Sequence, residues 1–280
     1  MILFIFEGRD REPALYKTMK YLFLTDSIKD DIIVSYCSNI YSLYQKMKDL
    51  DAFDENIDSA DIVQVLKEQL ANSPNPQDDE LNKIESSDSI SEIYLFFDYD
   101  LKRIDDDKNK LSVEEQNCQI KELLDYFDNE TEHGKLFIDY PMVESIRYFK
   151  KELPDEDYVT YVTDMFIGKA FKKEASETFY PNLQFITFSL NKSNDLKVPL
   201  TIEKELDLEK INRVKANWLF IKDLNVKKAN YICSGTNDFP EIKDKINQQN
   251  IFNGQIEKYL PDGKIAILNS FPLFLYEYLR

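Results

Sequence analysis

A mainly parallel α/β sheet flanked by helices, followed by a mostly helical C-terminal part, is the fold class that the sequence predicts. Three observations predict it. The chain opens on six apolar residues, Met1 to Phe6, as a strand buried on both faces requires. Further short apolar or β-branched runs, at Asp31 to Tyr36, Ile93 to Phe97 and Lys135 to Ile138, alternate with segments of helical periodicity. Past Leu153-Pro154 the strand signals give way to helical spacings.

The first strand stops abruptly at Glu7-Gly8, and glycine permits a sharp turn or close approach to a ligand. Pro13 suits the first turn of the helix that follows, where its missing N–H is no loss. From Arg11 to Leu24, helical spacing links Leu15, Met19, Leu22 and Phe23. Asp31 to Tyr36 reads as the second strand. Ile40, Leu43, Tyr44 and Met47 share one face of a helix over 40–50, and Ile62, Val65, Leu66 and Leu70 do so over 61–70. Two prolines, six acids, one lysine and several serines make 72–92 an acidic, solvated loop insertion.

The third strand, Ile93 to Phe97, runs into Asp98-Tyr99-Asp100, and a charged loop follows at Asp105 to Lys110. Ser112 with Glu115 forms a capping box that opens a helix to about Asn129. The fourth strand, Lys135 to Ile138, leads into Asp139-Tyr140-Pro141 and an expected helix from Met142 to Lys151. Residues 1–153 thus form a core, and 154–280 a mostly helical part packed on it. In that second part, Asp157 to Lys173, Lys204 to Leu224 and Glu241 to Asn250 read as helices, and Ile265 to Arg280 as an aromatic-rich terminal helix broken near Pro272. Asn182 to Leu190 fits a strand or an irregular crossing. No internal repeat is present.

Composition narrows the function classes. With 280 residues, 43% hydrophobic and 13% aromatic, the chain can bury a large core. It has no apolar run of transmembrane length and no basic region ahead of its first strand, so no membrane partner and a cytoplasmic location are expected. Cys37, Cys118 and Cys233 lack CxxC spacing and read as reduced packing residues. His133 is the single histidine, which nearly excludes histidine-based zinc chemistry. The net charge of −17 is unevenly spread: residues 1–180 carry 21 basic and 40 acidic side chains, residues 181–280 carry 14 and 12. A polyanion is therefore tolerated best by the C-terminal part. The basic stretch Arg213 to Lys228 could contact nucleic acid, with Trp218 as a stacking platform, although a solvated helix with a buried tryptophan is the favoured reading. No GxxxxGK[ST] is present, so any ATP requirement falls to another subunit.

The chemistry-bearing residues are acids at strand ends. Open α/β sheets bind ligands beyond the carboxyl ends of their strands, where Glu7 and Asp98 fall. Asp98 and Asp100, at i and i+2, point to one side of an extended segment, and their repulsion calls for a compensating cation or donor. A hard cation such as Mg²⁺ takes one or two carboxylates and keeps several waters. Glu12, with Asp10 beside it, follows the first glutamate by about a helical turn. Glu144 is a further candidate, which a first-turn acid favoured by the helix dipole explains equally well, and Asp139 is a weaker one, since strand termination accounts for it. Lys102, Arg147 and Lys151 could steady a phosphate, with solvated basic faces as an equally good reading.

Strand–Glu7-Gly8, then Glu12-Pro13, then strand–Asp98-x-Asp100 resembles the Toprim fold of topoisomerases, bacterial primases, OLD-type nucleases and small RNA-maturation nucleases. The EGxxxEP pattern followed by an aromatic-bearing helix is most similar to short stand-alone Toprim proteins of phage-defence loci, RloB-like and abortive-infection proteins among them. The resemblance covers residues 1 to about 151. It implies a Mg²⁺- or Mn²⁺-dependent nuclease acting on DNA or RNA, tRNA included. Glu7, Asp98 and Asp100 would be its metal ligands, with Glu12 and Glu144 assisting. An ATPase or sensor subunit is an expected partner class, and self-association is left open. Topoisomerase and primase activities are disfavoured, because no nucleophilic-tyrosine module and no zinc module is recognisable. The competing class is a non-catalytic scaffold whose acidic face binds a partner protein.

Overall fold

The computed structural model describes residues 1–53, 61–71, 81, 84, 86–104, 110–177, 186–187 and 208–279. It is an α/β protein with a mostly parallel five-stranded sheet flanked by helices and a helical C-terminal part. The chain forms two compact units. The first comprises residues 1–13, 26–98 and 103–137, and the second residues 14–25, 99–102 and 138–280.

The sheet consists of β1 (Ile2–Phe6), β2 (Asp31–Ser35), β3 (Glu92–Asp98), β4 (Asp128–Asn129) and β5 (Gly134–Asp139), in the order β2-β1-β3-β5-β4. β1 pairs in parallel with β2 and β3, setting Phe6 opposite both Ser35 and Phe96. All five β1 residues are buried, as a central parallel strand demands. Aromatic pairs cross the strands, Phe4 with Tyr94 at 5.4 Å, Phe6 with Phe96 at 5.3 Å and Phe96 with Phe137 at 5.2 Å. Each such pair contributes about 0.5–1.5 kcal/mol beyond area burial. Gly134 opens β5 at φ 119°, where a Cβ would lie 3.0 Å from both Ile93 and Leu95.

The helices of the first unit follow their sequence signals. α1 (Arg11–Met19) starts here and is continued by a π-turn over Lys20–Leu24. α2 (Ile40–Asp49) buries Ile40, Leu43, Tyr44 and Met47, and α3 (Ile62–Ala71) buries Ile62, Val63, Val65, Leu66 and Leu70. α4 (Val113–Tyr126) has the predicted capping box: the Ser112 hydroxyl accepts from Glu115 N–H, and the Glu115 carboxylate accepts from Ser112 N–H. It ends at Tyr126 rather than near Asn129, because Asp128 and Asn129 pair with β5 instead. Most of the acidic insertion, and the charged loop over 105–109, lie outside the described residues.

In the second unit, α5 (Ala170–Glu177), α6 (Leu208–Ser234), α7 (Gln248–Lys258) and α8 (Ser270–Tyr278) accompany a small antiparallel pair, β6 (Val162–Asp164) with β7 (Lys264–Ala266). Several expectations are corrected. Instead of a helix over 142–151 there is a 3₁₀ turn, Val143–Arg147, after a cis Tyr140–Pro141 peptide. Instead of one helix over 157–173 there are a 3₁₀ turn, Glu156–Thr160, then β6 and α5. The helix expected over 204–224 is described from Leu208 and runs on to Ser234, while Glu241 to Asn250 divides between a 3₁₀ turn and the start of α7. Ile265 belongs to β7, and α8 begins only after the Asn269 cap, with Pro272 in its first turn. Most of 182–190 lies outside the described residues. No helix of the described residues is long and apolar enough to cross a membrane.

Candidate functional site

In the first unit, the parallel register of β1 and β3 brings their carboxyl ends side by side. Glu7 N–H continues the ladder by donating to Phe96 O at 3.0 Å. The Glu7 carboxylate turns to the neighbouring strand, where Oε2 accepts Asp98 N–H at 3.0 Å. Both acids are partly exposed. A main-chain amide thus fixes the direction of Glu7 at the rim of the sheet.

Glu12 has a different task. It is buried, and Oε1 accepts Gly8 N–H at 3.2 Å, closing the turn between β1 and α1. A Cβ at Gly8 would stand 2.6 Å from Glu12 Oε2 and 2.8 Å from Oε1, so the glycine leaves room for that carboxylate. Asp10 is exposed on the turn. Tyr36, at the end of β2, is fully buried and packs edge-on against Phe97. Its hydroxyl has no hydrogen-bond partner, and burial raises its pKa above the usual phenol range.

In the second unit, Asp100 N–H donates to Pro141 O at 3.1 Å. The Asp100 Oδ2 accepts Lys102 Nζ at 2.5 Å, and Oδ1 is buried without a hydrogen-bond partner. Asp139 is 1% exposed, and its Oδ1 accepts both Ser270 N–H at 2.6 Å and Ser270 O–H at 2.8 Å at the start of α8. Glu144 is buried and faces Lys172 Nζ at 3.4 Å. Arg147 is buried too, donating to Ser176 Oγ at 3.0 Å and Lys172 O at 3.4 Å on α5. Lys151 is exposed and pairs with Asp157.

Elsewhere the structure adds to or corrects the sequence reading. Lys228 is fully buried on α6, donating to Tyr161 O at 2.6 Å and Tyr158 O at 2.9 Å with its ammonium 4.4 Å from the centre of the Tyr158 ring. Burial lowers its pKa well below the usual lysine value. Asn225 joins Tyr158 O–H to Asn269 N–H through one side-chain oxygen. Trp218 is buried with its indole N–H on Ile186 O at 2.9 Å, so it is not a stacking platform. The three cysteines are free, and His133 stacks on Tyr126 at 4.3 Å in the loop before β5.

The donor set at the strand ends is one of hard carboxylate oxygens, which suits Mg²⁺ or Mn²⁺ better than zinc or copper. Among the described residues no three His, Cys, Asp or Glu side chains converge as a ready cage. Mg²⁺ does not require one, since one or two carboxylates with waters and a phosphate suffice. No protein-family model, curated protein or solved structure matches the chain.

Proposed function

We propose that this chain is a divalent-cation-dependent nuclease that hydrolyses phosphodiester bonds of DNA or RNA, tRNA included. The observation that supports the reading is the Glu7 carboxylate held on Asp98 N–H, which sets one strand-end acid against the main chain that carries the next. Asp100 follows Asp98 by two residues along the chain. A bound Mg²⁺ or Mn²⁺ supplies an activated water and neutralises charge on the transferred phosphoryl group.

The residues around these acids have distinct tasks in this reading. Asp98 N–H orients Glu7, and Glu12 fixes the turn that carries it. Lys102 is the basic side chain best placed in sequence to meet a phosphate. Arg147 is enclosed by α5 and serves instead to hold the Val143–Arg147 turn. Glu144, buried against Lys172, supports the same turn. The resemblance described above adds that the nuclease is an effector of anti-phage defence, triggered by a sensor or ATPase subunit.

The test is cleavage of plasmid DNA, tRNA and total RNA with Mn²⁺, in vitro and on induced expression in a bacterial host. Glu7→Ala and Asp98→Ala are expected to lose cleavage by about 100-fold or more, since even supporting partners of metal ligands cost 10–100-fold. Undiminished cleavage by both folded variants would overturn the assignment. A second reading, an acidic scaffold for a basic partner, is favoured by the 40 acidic against 21 basic side chains in residues 1–180. It predicts no cation binding that depends on Glu7 or Asp98.

A further inference from the structure

We propose that Arg9, positioned by Cys37, grips a phosphate of the nucleic acid beside the strand ends that carry Glu7 and Asp98. The inference rests on the nuclease reading above and names the side chain that meets the substrate's polyanionic backbone. Glu7, Arg9, Cys37 and Asp98 all belong to the first unit. Its strand order, β2-β1-β3, takes the chain from β1 to one neighbour and then across to the other. The carboxyl ends of β1 and β3 therefore form the switch point at which open α/β sheets hold their ligands.

This rim is tied together from both sides of β1. On the β3 side, the Glu7 carboxylate accepts Asp98 N–H. On the β2 side, Cys37 N–H donates to Glu7 O at 2.9 Å, and Cys37 Sγ accepts Arg9 Nε–H at 2.8 Å. The sulfur thus ties the guanidinium to the strand next to Glu7, across a main-chain spacing of about 4.8 Å. The thiol is itself oriented, since Sγ donates to Ser35 O at 3.2 Å. Cys37 adopts φ 62°, a left-handed conformation that is costly for a residue with a Cβ. Strain of this kind gathers at functional sites, and here it accompanies a thiol held on Arg9.

The chemistry favours a phosphate. Arg9 and Cys37 are both exposed, so a nucleic-acid strand can reach the guanidinium. Arginine stays charged, and its planar fork matches two phosphate oxygens. Glu7, Asp10 and Asp98 make the rim acidic, and Asp10 also acts on Arg9. A polyanion approaching these acids needs a fixed positive charge beside the divalent cation.

Fluorescence anisotropy of labelled RNA and DNA oligonucleotides, single-stranded and duplex, tests this by titration with protein in Ca²⁺ at a series of salt concentrations. Arg9→Gln is expected to bind about tenfold more weakly. Its slope of log affinity against log salt should be shallower by about 0.7–0.9, the share of one phosphate. A purely structural role for Arg9 would leave that slope unchanged. Cys37→Gly suits the left-handed backbone but removes the sulfur, and is expected to bind about threefold more weakly. Cys37→Ser keeps an acceptor for Arg9 and should bind like the wild type. Wild-type affinity and slope in folded Arg9→Gln would overturn the phosphate role and leave the nuclease reading standing. Wild-type affinity in Cys37→Gly would overturn the positioning by Cys37. Binding of no oligonucleotide by any form would overturn this inference and the nuclease reading together.

Discussion

Asp139 and Asp100 both stand at the carboxyl ends of strands, yet their carboxylates are held in opposite ways. Asp139 is buried, and fixed dipoles meet it, the amide and hydroxyl of Ser270 at 2.6 and 2.8 Å. Asp100 is about three-quarters buried and is met by a lysine amine at one oxygen and by no hydrogen bond at the other. Fixed dipoles cannot leave, so Asp139 is committed to joining β5 to α8. Asp100 is met instead by a flexible side-chain amine. Glu12 and Glu7 both share the fixed-dipole contact with Asp139, since the amides of Gly8 and Asp98 hold them.

The contrast is sharpest in stability. Asp139→Ala leaves the Ser270 amide and hydroxyl without their acceptor at the start of a buried helix, and we expect a loss of about 3 kcal/mol in urea unfolding. Asp100→Ala removes only a partly exposed ion pair and an unmet acceptor, and should cost less than about 1 kcal/mol in the same experiment. Comparable losses from the two would break the distinction.

Lys228 extends it to the opposite charge. Its amine is held by two fixed carbonyls and the Tyr158 ring, and burial lowers its pKa. Tyr158 and Tyr161 also face this region, the latter with its hydroxyl on buried Asp155. Because the folded pKa lies below the unfolded one, the unfolded chain binds more protons between the two values, and stability rises with pH through that window. Unfolding measured from about pH 7 to about pH 9 should show the wild type gaining stability relative to Lys228→Met. An unchanged difference between the two proteins would mean that Lys228 does not titrate differently on folding.

Local signals made much of the sheet unit legible. Apolar runs marked β1 and β3, four-residue apolar faces marked α2 and α3, and Ser112 with Glu115 marked the start of α4. The failures lie where distant partners decide. Residues 142–149 are all buried, polar Glu144, Ser145 and Arg147 included, so this stretch has no exposed face and gains little from a helical stripe. Asp155, taking the amides of Lys150 and Lys151 at 3.0 and 3.1 Å, supplies a local alternative to helical hydrogen bonds there. Val162–Asp164 is a strand only because Lys264–Ala266 pairs with it. At the strand ends the sequence pointed to Glu7 and Asp98 as neighbours, and the register of β1 with β3 brings them together. It treated Glu12 as an active acid without seeing that the missing side chain of Gly8 makes room for its carboxylate. Lys228 gave no warning, because its partners are backbone carbonyls.

In the proposed function, Glu7 and Asp98 hold a divalent cation. Electron paramagnetic resonance of Mn²⁺ titrated with the protein tests it directly, because the signal of the free ion falls as it binds. The wild type is expected to deplete that signal, and Glu7→Gln and Asp98→Asn, both folded, are expected not to. Equal depletion by these variants, or none by the wild type, would contradict it.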